Sequence, residues 1–238
     1  MRFKAITNKG KIRSSNEDNY YVNQDLKFFM VADGMGGHAA GEIASGIAVE
    51  VSSNYDFDLS SPLDNLKDLT YKINNEILNR SKSKREYQGM GTTFAAAIVK
   101  ENNLYYVNLG DSRIYLYDKL EKKLKKISKD HSLVANLLRE GKITEEEAFN
   151  HPKKNIVTQA LGLEEELELD SGKIEITKNN YLFLCTDGLT DMIRTNEIKD
   201  IFDSKDKLEN LADELLNRAL KYGGSDNITL IVAGNNEN

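Results

Sequence analysis

The stretch Phe28-Phe-Met-Val-Ala-Asp33-Gly34-Met35-Gly-Gly-His38 decides the fold of this chain. Its apolar run, Phe28 to Ala32, predicts a buried strand that stops at Asp33-Gly34. A glycine-rich turn and a helix follow, so a carboxylate is held at the end of a core strand, where a rigid scaffold can fix a catalytic group. The arrangement recurs in Tyr181-Leu-Phe-Leu-Cys-Thr-Asp187-Gly188, and Asp226-Asn227 introduces the last strand. We expect these acids to meet in space around metal ions.

Two simpler interpretations of the same stretch stay open. Asp-Gly is a common hairpin signal, so each pair can be a plain turn. Gly34-Met-Gly36-Gly-His-Ala39 also matches the loose dinucleotide-binding fingerprint, with a strand before it and a helix after it. The chain lacks the alternating strands and helices of that fold, and Asp33 would repel a pyrophosphate unless a cation intervened.

Composition limits the class of protein. The chain has 238 residues, of which 39% are hydrophobic and 29% charged, and this profile is typical of a soluble globular protein with a sizeable core. A net charge of −6 favours neither nucleic-acid nor membrane binding. The single cysteine, Cys185, excludes an internal disulfide and lies in an apolar strand, where inert packing is its expected role. Without an apolar N-terminal signal or a membrane-length apolar run, we expect a cytoplasmic protein.

The order of predicted elements indicates an α+β sandwich rather than a doubly wound sheet, because strands follow one another directly. We predict about nine strands and two groups of helices. The predicted strands are Phe3–Thr7, Tyr20–Val22, Phe28–Ala32, Thr92–Val99, Leu104–Leu109, Ile114–Tyr117, Ile174–Ile176, Tyr181–Thr186 and Ile228–Ala233. Helical spacing predicts packing helices from Ala39, over Leu63–Arg85, Glu197–Phe202 and Leu208–Tyr222, with shorter helices at His131–Leu138 and Thr144–Glu147. The lysine-rich Lys119–Lys129 is expected to be a solvated edge.

Two further acidic segments can also be interpreted as ordinary surface turns. Arg13-Ser-Ser-Asn16-Glu17-Asp18 can be a solvated turn. Gly110-Asp111-Ser112-Arg113 can be a hairpin turn with an exposed ion pair. His131 and His151 have no metal-binding spacing, and we expect structural roles for both.

The candidate acids point to metal chemistry if they come together: Glu17, Asp18, Asp33, Asp111, Asp187 and Asp226. Several uncompensated carboxylates in one buried place are very costly, and divalent cations remove that cost. Oxygen ligands without a Cys or His cluster suit magnesium or manganese better than zinc. Two such ions about 3.5–4 Å apart can bind a phosphate and lower the pKa of a shared water. Arg13 would hold the phosphoryl oxygens, which predicts a metal-assisted phosphate-ester hydrolase.

The motifs together resemble a known family. In order, the chain contains Arg13-x-x-Asn16-Glu17-Asp18, Val31-Ala-Asp33-Gly34-Met-Gly-Gly-His38, Gly91-Thr-Thr, Leu109-Gly-Asp111-Ser-Arg113, Asp130-His131-Ser132, Ala160-Leu-Gly162, Thr186-Asp187-Gly188-Leu and Asp226-Asn227-Ile-Thr229. Each motif is short, but their common order is specific and spans Arg13 to about Val232. This set resembles the metal-dependent protein phosphatase type 2C family in its compact bacterial form.

The resemblance implies one phosphatase domain over residues 1–238, with two packed antiparallel β-sheets flanked by helices on both sides. It implies that the enzyme hydrolyses phosphoserine and phosphothreonine in proteins by attack of a water activated at two Mn²⁺ or Mg²⁺ ions. A segment at about 130–162 corresponds to the family's flap, which influences substrate access.

The resemblance also assigns roles by position. Asp33 would bridge both metals, Asp187 and Asp226 would complete the shell of the first, and Gly34 would offer its carbonyl to the second with Glu17 close by. Asp18 would orient metal-bound waters. Asp111 and Asp187 would hold a weaker third metal, and Arg13 would bind the substrate phosphate.

One position departs from the animal members, which carry a His after the Asp-Gly as a proton donor. Here Met35 occupies it, as in bacterial relatives, so the general acid is open. We hypothesise that no side chain is essential as the acid, and that His38→Ala costs less than about 10²-fold in turnover, the scale of general acid catalysis.

Other phosphatase chemistries lack their residues. A cysteine phosphatase needs an arginine in the loop after its cysteine, where this chain has Asp191, and three histidines are too few for a His-rich binuclear site. A non-catalytic relative that keeps the fold as a binding module remains an alternative. We expect a monomer that acts on phosphoserine and phosphothreonine proteins, including a cognate serine/threonine kinase, without nucleic-acid or membrane partners.

Overall fold

Two antiparallel β-sheets pack face to face, and helices cover the outer face of each. The computed structural model describes residues 1–37, 40–204 and 207–235. The predicted α+β sandwich of two antiparallel sheets between helical layers is therefore confirmed.

The strands are β1 (Arg2–Asn8), β2 (Asp18–Asn23), β3 (Phe28–Met35), β4 (Gly91–Thr92), β5 (Phe94–Lys100), β6 (Asn103–Leu109), β7 (Arg113–Asp118), β8 (Lys123–Lys126), β9 (Asp170–Glu175), β10 (Asn180–Cys185) and β11 (Ile228–Gly234). The first sheet has the strand order β1-β11-β10-β7-β8, and the second has the order β2-β3-β5-β6-β9 with the short β4 paired to β3. The central strands are the apolar ones, because both their faces are covered.

The helices lie in sequence groups on opposite sides of the sandwich. They are α1 (Ala40–Ser53), α2 (Pro62–Ser81), α3 (Leu133–Arg139), α4 (Glu145–Phe149), α5 (Asp187–Thr190), α6 (Thr195–Ser204) and α7 (Leu208–Lys221), with a 3₁₀ turn at Arg85–Tyr87. Helices α1 and α2 cover the second sheet, and α6 and α7 cover the first. The short α3 and α4 belong to the predicted flap segment.

The core has three apolar layers, as four stacked layers of structure require. One lies between α1, α2 and the second sheet and contains Ile47, Leu66 and Ile73. One lies between the sheets, around Phe29, Val31 and Ile231. The third lies under α6 and α7. The two predicted packing helices near the N-terminus are confirmed, and one face of each is buried: Ala44, Ile47 and Ala48 of α1 and Leu66, Leu69, Ile73 and Ile77 of α2.

Several strand bounds differ from the predictions, and three of the differences change which strands pair. The strand from Phe28 was predicted to stop at Asp33-Gly34, but β3 continues to Met35 because β4 pairs with Gly34 and Met35. The plain-turn interpretation of Asp33-Gly34 is wrong for the same reason. The run Thr92–Val99 divides at Thr93 into β4 and β5. The lysine-rich segment contains β8, which pairs only with β7 at the sheet edge; lysine is common on such edges because its charge discourages further pairing.

The antiparallel order also excludes the dinucleotide-binding interpretation, because that fold needs parallel strands on either side of a crevice. Within the described ranges, none of the helices is long and apolar enough to cross a bilayer.

Candidate active site

Most of the predicted acids meet in one pocket at the end of the sandwich. Its volume is about 420 Å³. Seven of the predicted site residues line it: Arg13, Glu17, Asp33, Gly34, Asp111, Asp187 and Asp226. The eighth, Asp18, is buried beneath the pocket wall rather than lining it. Chain segments far apart in sequence therefore supply a single acidic site.

Two threonines hold the backbone of Asp33. The Asp33 N–H donates to Thr93 Oγ1 at 2.9 Å, and the Asp33 carbonyl accepts from Thr92 Oγ1 and from the Thr93 N–H, both at 2.9 Å. Thr93 Oγ1 also lies 2.7 Å from Ser112 Oγ, next to Asp111. Sequence reasoning assigned no role to these threonines beyond their place in the Gly91-Thr-Thr motif. They fix two of the candidate ligands relative to each other.

Gly34 allows β3 to touch the start of α1. A Cβ atom added at Gly34 would lie 2.1 Å from the Gly41 carbonyl oxygen and 2.6 Å from that of Glu17. The Gly34 N–H donates to the Glu17 carbonyl at 3.1 Å. The residue after Asp33 is thus glycine because two other backbone segments occupy the space of a side chain.

Asp18 is a buried carboxylate that is held by Thr186, the residue that follows β10 in the other sheet. Its Oδ2 accepts from Thr186 Oγ1 at 2.8 Å, while its Oδ1 is buried without a hydrogen-bond partner. Desolvation raises the pKa of Asp18 to about 7, with Asp187 and Asp226 adding to the effect. The solvated-turn interpretation is therefore wrong for Asp18, although Arg13, Ser14 and Ser15 are exposed.

Asp187 begins α5, two residues after the last residue of β10, and lines the same pocket as Asp33. Desolvation raises the pKa of both carboxyl groups, that of Asp187 to about 6 and that of Asp33 well above its ordinary value, where the charge of Asp187 adds to the shift. Asp187 Oδ1 is buried and has no hydrogen-bond partner. Neighbouring buried carboxylates repel each other, and a cation bound between them would remove that cost.

Asp111 sits in a buried turn, not an exposed one. Its side chain is 5% exposed, and desolvation followed by the charge of Asp187 raises its pKa well above the ordinary value. The predicted alternative of an exposed Asp111–Arg113 ion pair is wrong, because Arg113 Nε donates to Asp130 Oδ2 at 2.9 Å instead. Asp130 also binds Lys126, so Asp111 is left free for another partner.

Arg13 contacts the last candidate ligand. Its NH2 group lies 2.6 Å from Asp226 Oδ2, and the guanidinium side chain is 52% exposed. Asp226 Oδ1 accepts from the Asn227 N–H at 2.8 Å. The Arg13 guanidinium lies at the pocket rim, where it can reach an incoming anion.

Asn227 is a residue whose role the sequence did not reveal. Its Oδ1 accepts the Glu17 N–H at 2.8 Å, and its Nδ2 donates to the carbonyls of Lys9 and Ser15 at 2.9 Å each. One side chain thus ties the N-terminal loop that carries Arg13 and Glu17 to the last strand. Its position in the Asp226-Asn227-Ile-Thr229 motif was the available signal.

The donor set suits hard cations, although the side chains are not arranged around one point. In the part of the chain that the structure describes, no three acidic, histidine or cysteine side chains could together hold a metal ion as they stand. The donors are all oxygens, and the buried Asp18 Oδ1 and Asp187 Oδ1 have no hydrogen-bond partner. Such oxygen donors would suit a hard divalent cation.

The predicted flap segment closes over a second, larger cavity beside the pocket. This cavity has a volume of about 850 Å³ and shares Asp111 and Asp187 with the first. Glu146 of α4 binds Arg194 through two hydrogen bonds of 2.6 and 2.8 Å, and Lys154 pairs with Asp191 at 3.0 Å. His131 anchors the start of the segment, because Gly110 N–H donates to its Nδ1 at 3.2 Å.

His151 Nδ1 accepts from the Lys153 N–H at 3.1 Å, a local turn contact. Met35 lines the pocket, whereas His38 lies outside the described residues.

The fold is shared with solved bacterial serine/threonine phosphatases. The structure of the Mycobacterium tuberculosis serine/threonine phosphatase PstP/Ppp superposes with a TM-score of 0.91 at 34% identity, covering 99% of both chains. A PstP catalytic domain in complex with two manganese ions matches with a TM-score of 0.86 at 33% identity, over 97% of this chain and 96% of that one.

Sequence comparison gives the family. The model of the protein phosphatase 2C family matches residues 11–231. The serine/threonine phosphatase stp of Listeria welshimeri is 40% identical over 245 aligned positions, which cover 99% of this chain and 96% of that protein. The chain belongs to the protein phosphatase 2C family, as its motif order predicted.

Proposed function

We propose that this chain is a protein serine/threonine phosphatase, with residues 1–238 forming a single catalytic domain. It hydrolyses phosphoserine and phosphothreonine by attack of a water activated at a binuclear manganese or magnesium centre. The observation that carries the proposal is the convergence of Glu17, Asp33, Asp111, Asp187 and Asp226 with Arg13 in one pocket. Family membership and the manganese-bound relative support the same reaction.

In this proposal the acids divide the metal ions between them. Asp33 would contribute to both ions of the core site, Asp187 and Asp226 would hold the first, and Glu17 with the Gly34 carbonyl would hold the second. Asp111 and Asp187 would hold a weaker third ion. When bound, the cations supply positive charge for the phosphoryl oxygens and lower the pKa of water.

The remaining residues position the substrate, the water in the site and the loop that carries Arg13. Arg13 presents its guanidinium to the phosphate, in the bidentate geometry that suits phosphoryl oxygens. Asp18, held by Thr186, would orient water bound at the metal site. Asn227 keeps the Arg13 loop in register with Asp226. Met35 carries no transferable proton, so the leaving oxygen takes its proton from solvent in the site.

The biological setting follows from the relatives' activity. We propose phosphoproteins as substrates, a serine/threonine kinase among them, a role in signalling, and action as a monomer in the cytoplasm. A reducing compartment suits the buried Cys185, whose thiol has a pKa raised by desolvation and is protected from oxidation.

The test is hydrolysis of a phosphothreonine peptide and of p-nitrophenyl phosphate with Mn²⁺, with Mg²⁺ and with a chelator. We expect turnover that requires metal and falls by at least about 10³-fold in Asp33→Ala, the scale for removing a central electrostatic group. Asp213→Ala, an exposed acid on α7, is the matched control and should keep full turnover.

Folded protein that hydrolyses neither substrate with manganese present would contradict the proposal. The chain would then be a binding module that keeps the phosphatase fold without its chemistry. Manganese affinity in Asp33→Ala, measured by calorimetry, separates a lost metal from a lost reaction.

A further inference from the structure

One wall of the acidic pocket is apolar. Met35, Ile156 and Val157 line the same pocket as Arg13 and Asp33. Ile156 is 45% exposed, and Met35 and Val157 are partly exposed. A phosphorylated side chain that reaches Arg13 must bring its neighbouring residues past this wall.

The backbone holds Ile156 in place. Its carbonyl accepts from the Leu133 N–H at 2.9 Å, and its N–H donates to the Lys153 carbonyl at 3.3 Å. An isolated β-bridge joins the next residue, Val157, to Ser132. The exposed isoleucine therefore belongs to a fixed surface rather than to a loose loop.

The same surface is tied to the turn that carries Asp111. Thr158 N–H donates to the His131 carbonyl at 2.8 Å. His131 in turn exchanges two hydrogen bonds with Gly110, one from its own N–H to the Gly110 carbonyl at 2.9 Å and one to its Nδ1. The position of Ile156 relative to the acids is thus set by backbone contacts.

An acidic residue next to the phosphorylated residue would find no unpaired cation among the described residues of this pocket. Among the described residues that line the pocket, Arg13 is the single cation, and it pairs with Asp226. An apolar residue next to the phosphorylated residue would be shielded from water by Ile156. This burial is favourable in proportion to the apolar area covered.

We propose that Ile156, with Met35 and Val157, contacts the residue next to the phosphorylated side chain and selects substrates with an apolar residue there. The proposal rests on the phosphatase function proposed above. Ile156 acts on substrate choice, so its contribution is to KM more than to kcat.

The experiment uses phosphothreonine peptides that differ only in the residue following the phosphothreonine, which is Leu, Gly, Glu or Lys, and a second set varied before it. We expect the wild-type protein to favour Leu over Gly by roughly fivefold in kcat/KM in one set, less than the 10–200-fold of an enclosed pocket because this wall is open. In Ile156→Ala the ratio of Leu to Gly should fall to near one, through KM, and Ile156→Leu should restore it.

Leu120→Ala is the matched control, since Leu120 is 77% exposed on the turn between β7 and β8. It should keep the wild-type ratio, and melting temperatures of both Ala variants should equal that of the wild type. An unchanged ratio in Ile156→Ala, or a wild-type preference for Glu, Lys or Gly in both sets, overturns the proposal. If the wild type hydrolyses neither p-nitrophenyl phosphate nor any peptide with Mn²⁺, the phosphatase function itself fails, and the selectivity with it.

Discussion

Asp18 and Asp33 are direct cross-strand partners in the antiparallel pair of β2 and β3. Like charges opposite each other destabilise a sheet, and here both carboxyls are also desolvated. Such a pair is unfavourable for folding by itself. The metal ions proposed for the neighbouring pocket would offset this repulsion.

This relationship predicts how pH affects the metal-free protein. The pKa of Asp18 is raised to about 7 and that of Asp187 to about 6. The folded state therefore holds protons that the unfolded state has released, so stability is full below about pH 4, the ordinary carboxyl pKa, and is lost as pH rises through 6 and 7. We expect the melting temperature in chelator to fall between pH 5 and pH 8.

Asp18→Asn provides the control for that experiment. This variant should remove the decrease in melting temperature near pH 7 and keep the decrease near pH 6. Mn²⁺ should raise the melting temperature more at pH 8 than at pH 5, because protons compete with the metal for the same oxygens. A melting temperature that rises or stays constant from pH 5 to pH 8 in chelator would show that these acids are ionised without cost.

A second prediction concerns Gly34. Gly34→Ala places a Cβ atom 2.1 Å from the Gly41 carbonyl oxygen, and neither backbone segment can move without displacing Asp33. We expect a loss of about 3 kcal/mol or more in the free energy of unfolding. Urea titration followed by circular dichroism measures it.

Gly46→Ala is the matched substitution within α1. A Cβ atom at Gly46 has no neighbour within 4 Å, so alanine should raise the free energy of unfolding by about 0.5–1 kcal/mol. Equal stability of the two variants would mean that the contact of β3 with α1 is not as tight as described.

A third prediction concerns Thr186, whose hydroxyl links Asp18 to β11. It donates to Asp18 Oδ2 at 2.8 Å and accepts from the Thr229 N–H at 3.0 Å. Thr186→Val keeps the shape but leaves two buried polar groups unpaired, which should cost about 1–3 kcal/mol. Thr186→Ser should retain most of the stability. Comparing the chemical denaturation of the two variants tests it, and a valine variant as stable as the serine variant would contradict it.

A fourth prediction concerns the clasp between Arg194 and Glu146, which joins the flap segment to the helix that begins at Thr195. The Arg194 guanidinium also lies 4.3 Å from the centre of the Phe149 ring. Arg194→Met should leave global stability nearly unchanged, because exposed ion pairs contribute little. Amide hydrogen exchange in Glu145–Phe149 should nevertheless quicken about two- to fivefold, because the lost ion pair stabilises this segment against local opening.

Arg218→Met is the control for this clasp. Arg218 pairs with Glu214 within α7, so its loss removes an ion pair without freeing the flap segment. Equal exchange rates in Glu145–Phe149 for both variants would show that the clasp does not hold the segment.

The sequence predicted more of the site than of the strand ends. Apolar runs marked the core strands, and an acid at the end of each run marked the pocket. The extension of β3 to Met35 was missed because it depends on β4, a two-residue strand far along the chain. Strand β8 was missed because its lysines lack the alternating pattern of a half-buried strand. The role of Asn227 was missed because its partners, Lys9, Ser15 and Glu17, lie at the opposite end of the chain.

By itself, the sequence determined the class of fold, the family and the candidate acids, most of which line one pocket. These follow from local patterns, namely apolar periodicity and short motifs whose chemistry is written in adjacent residues. Only the tertiary structure decided that Asp18 faces Asp33, that Arg113 turns to Asp130 instead of Asp111, and that Ile156 lies at the mouth of the pocket. Such relationships depend on sheet register and on packing between distant segments, which no local pattern specifies.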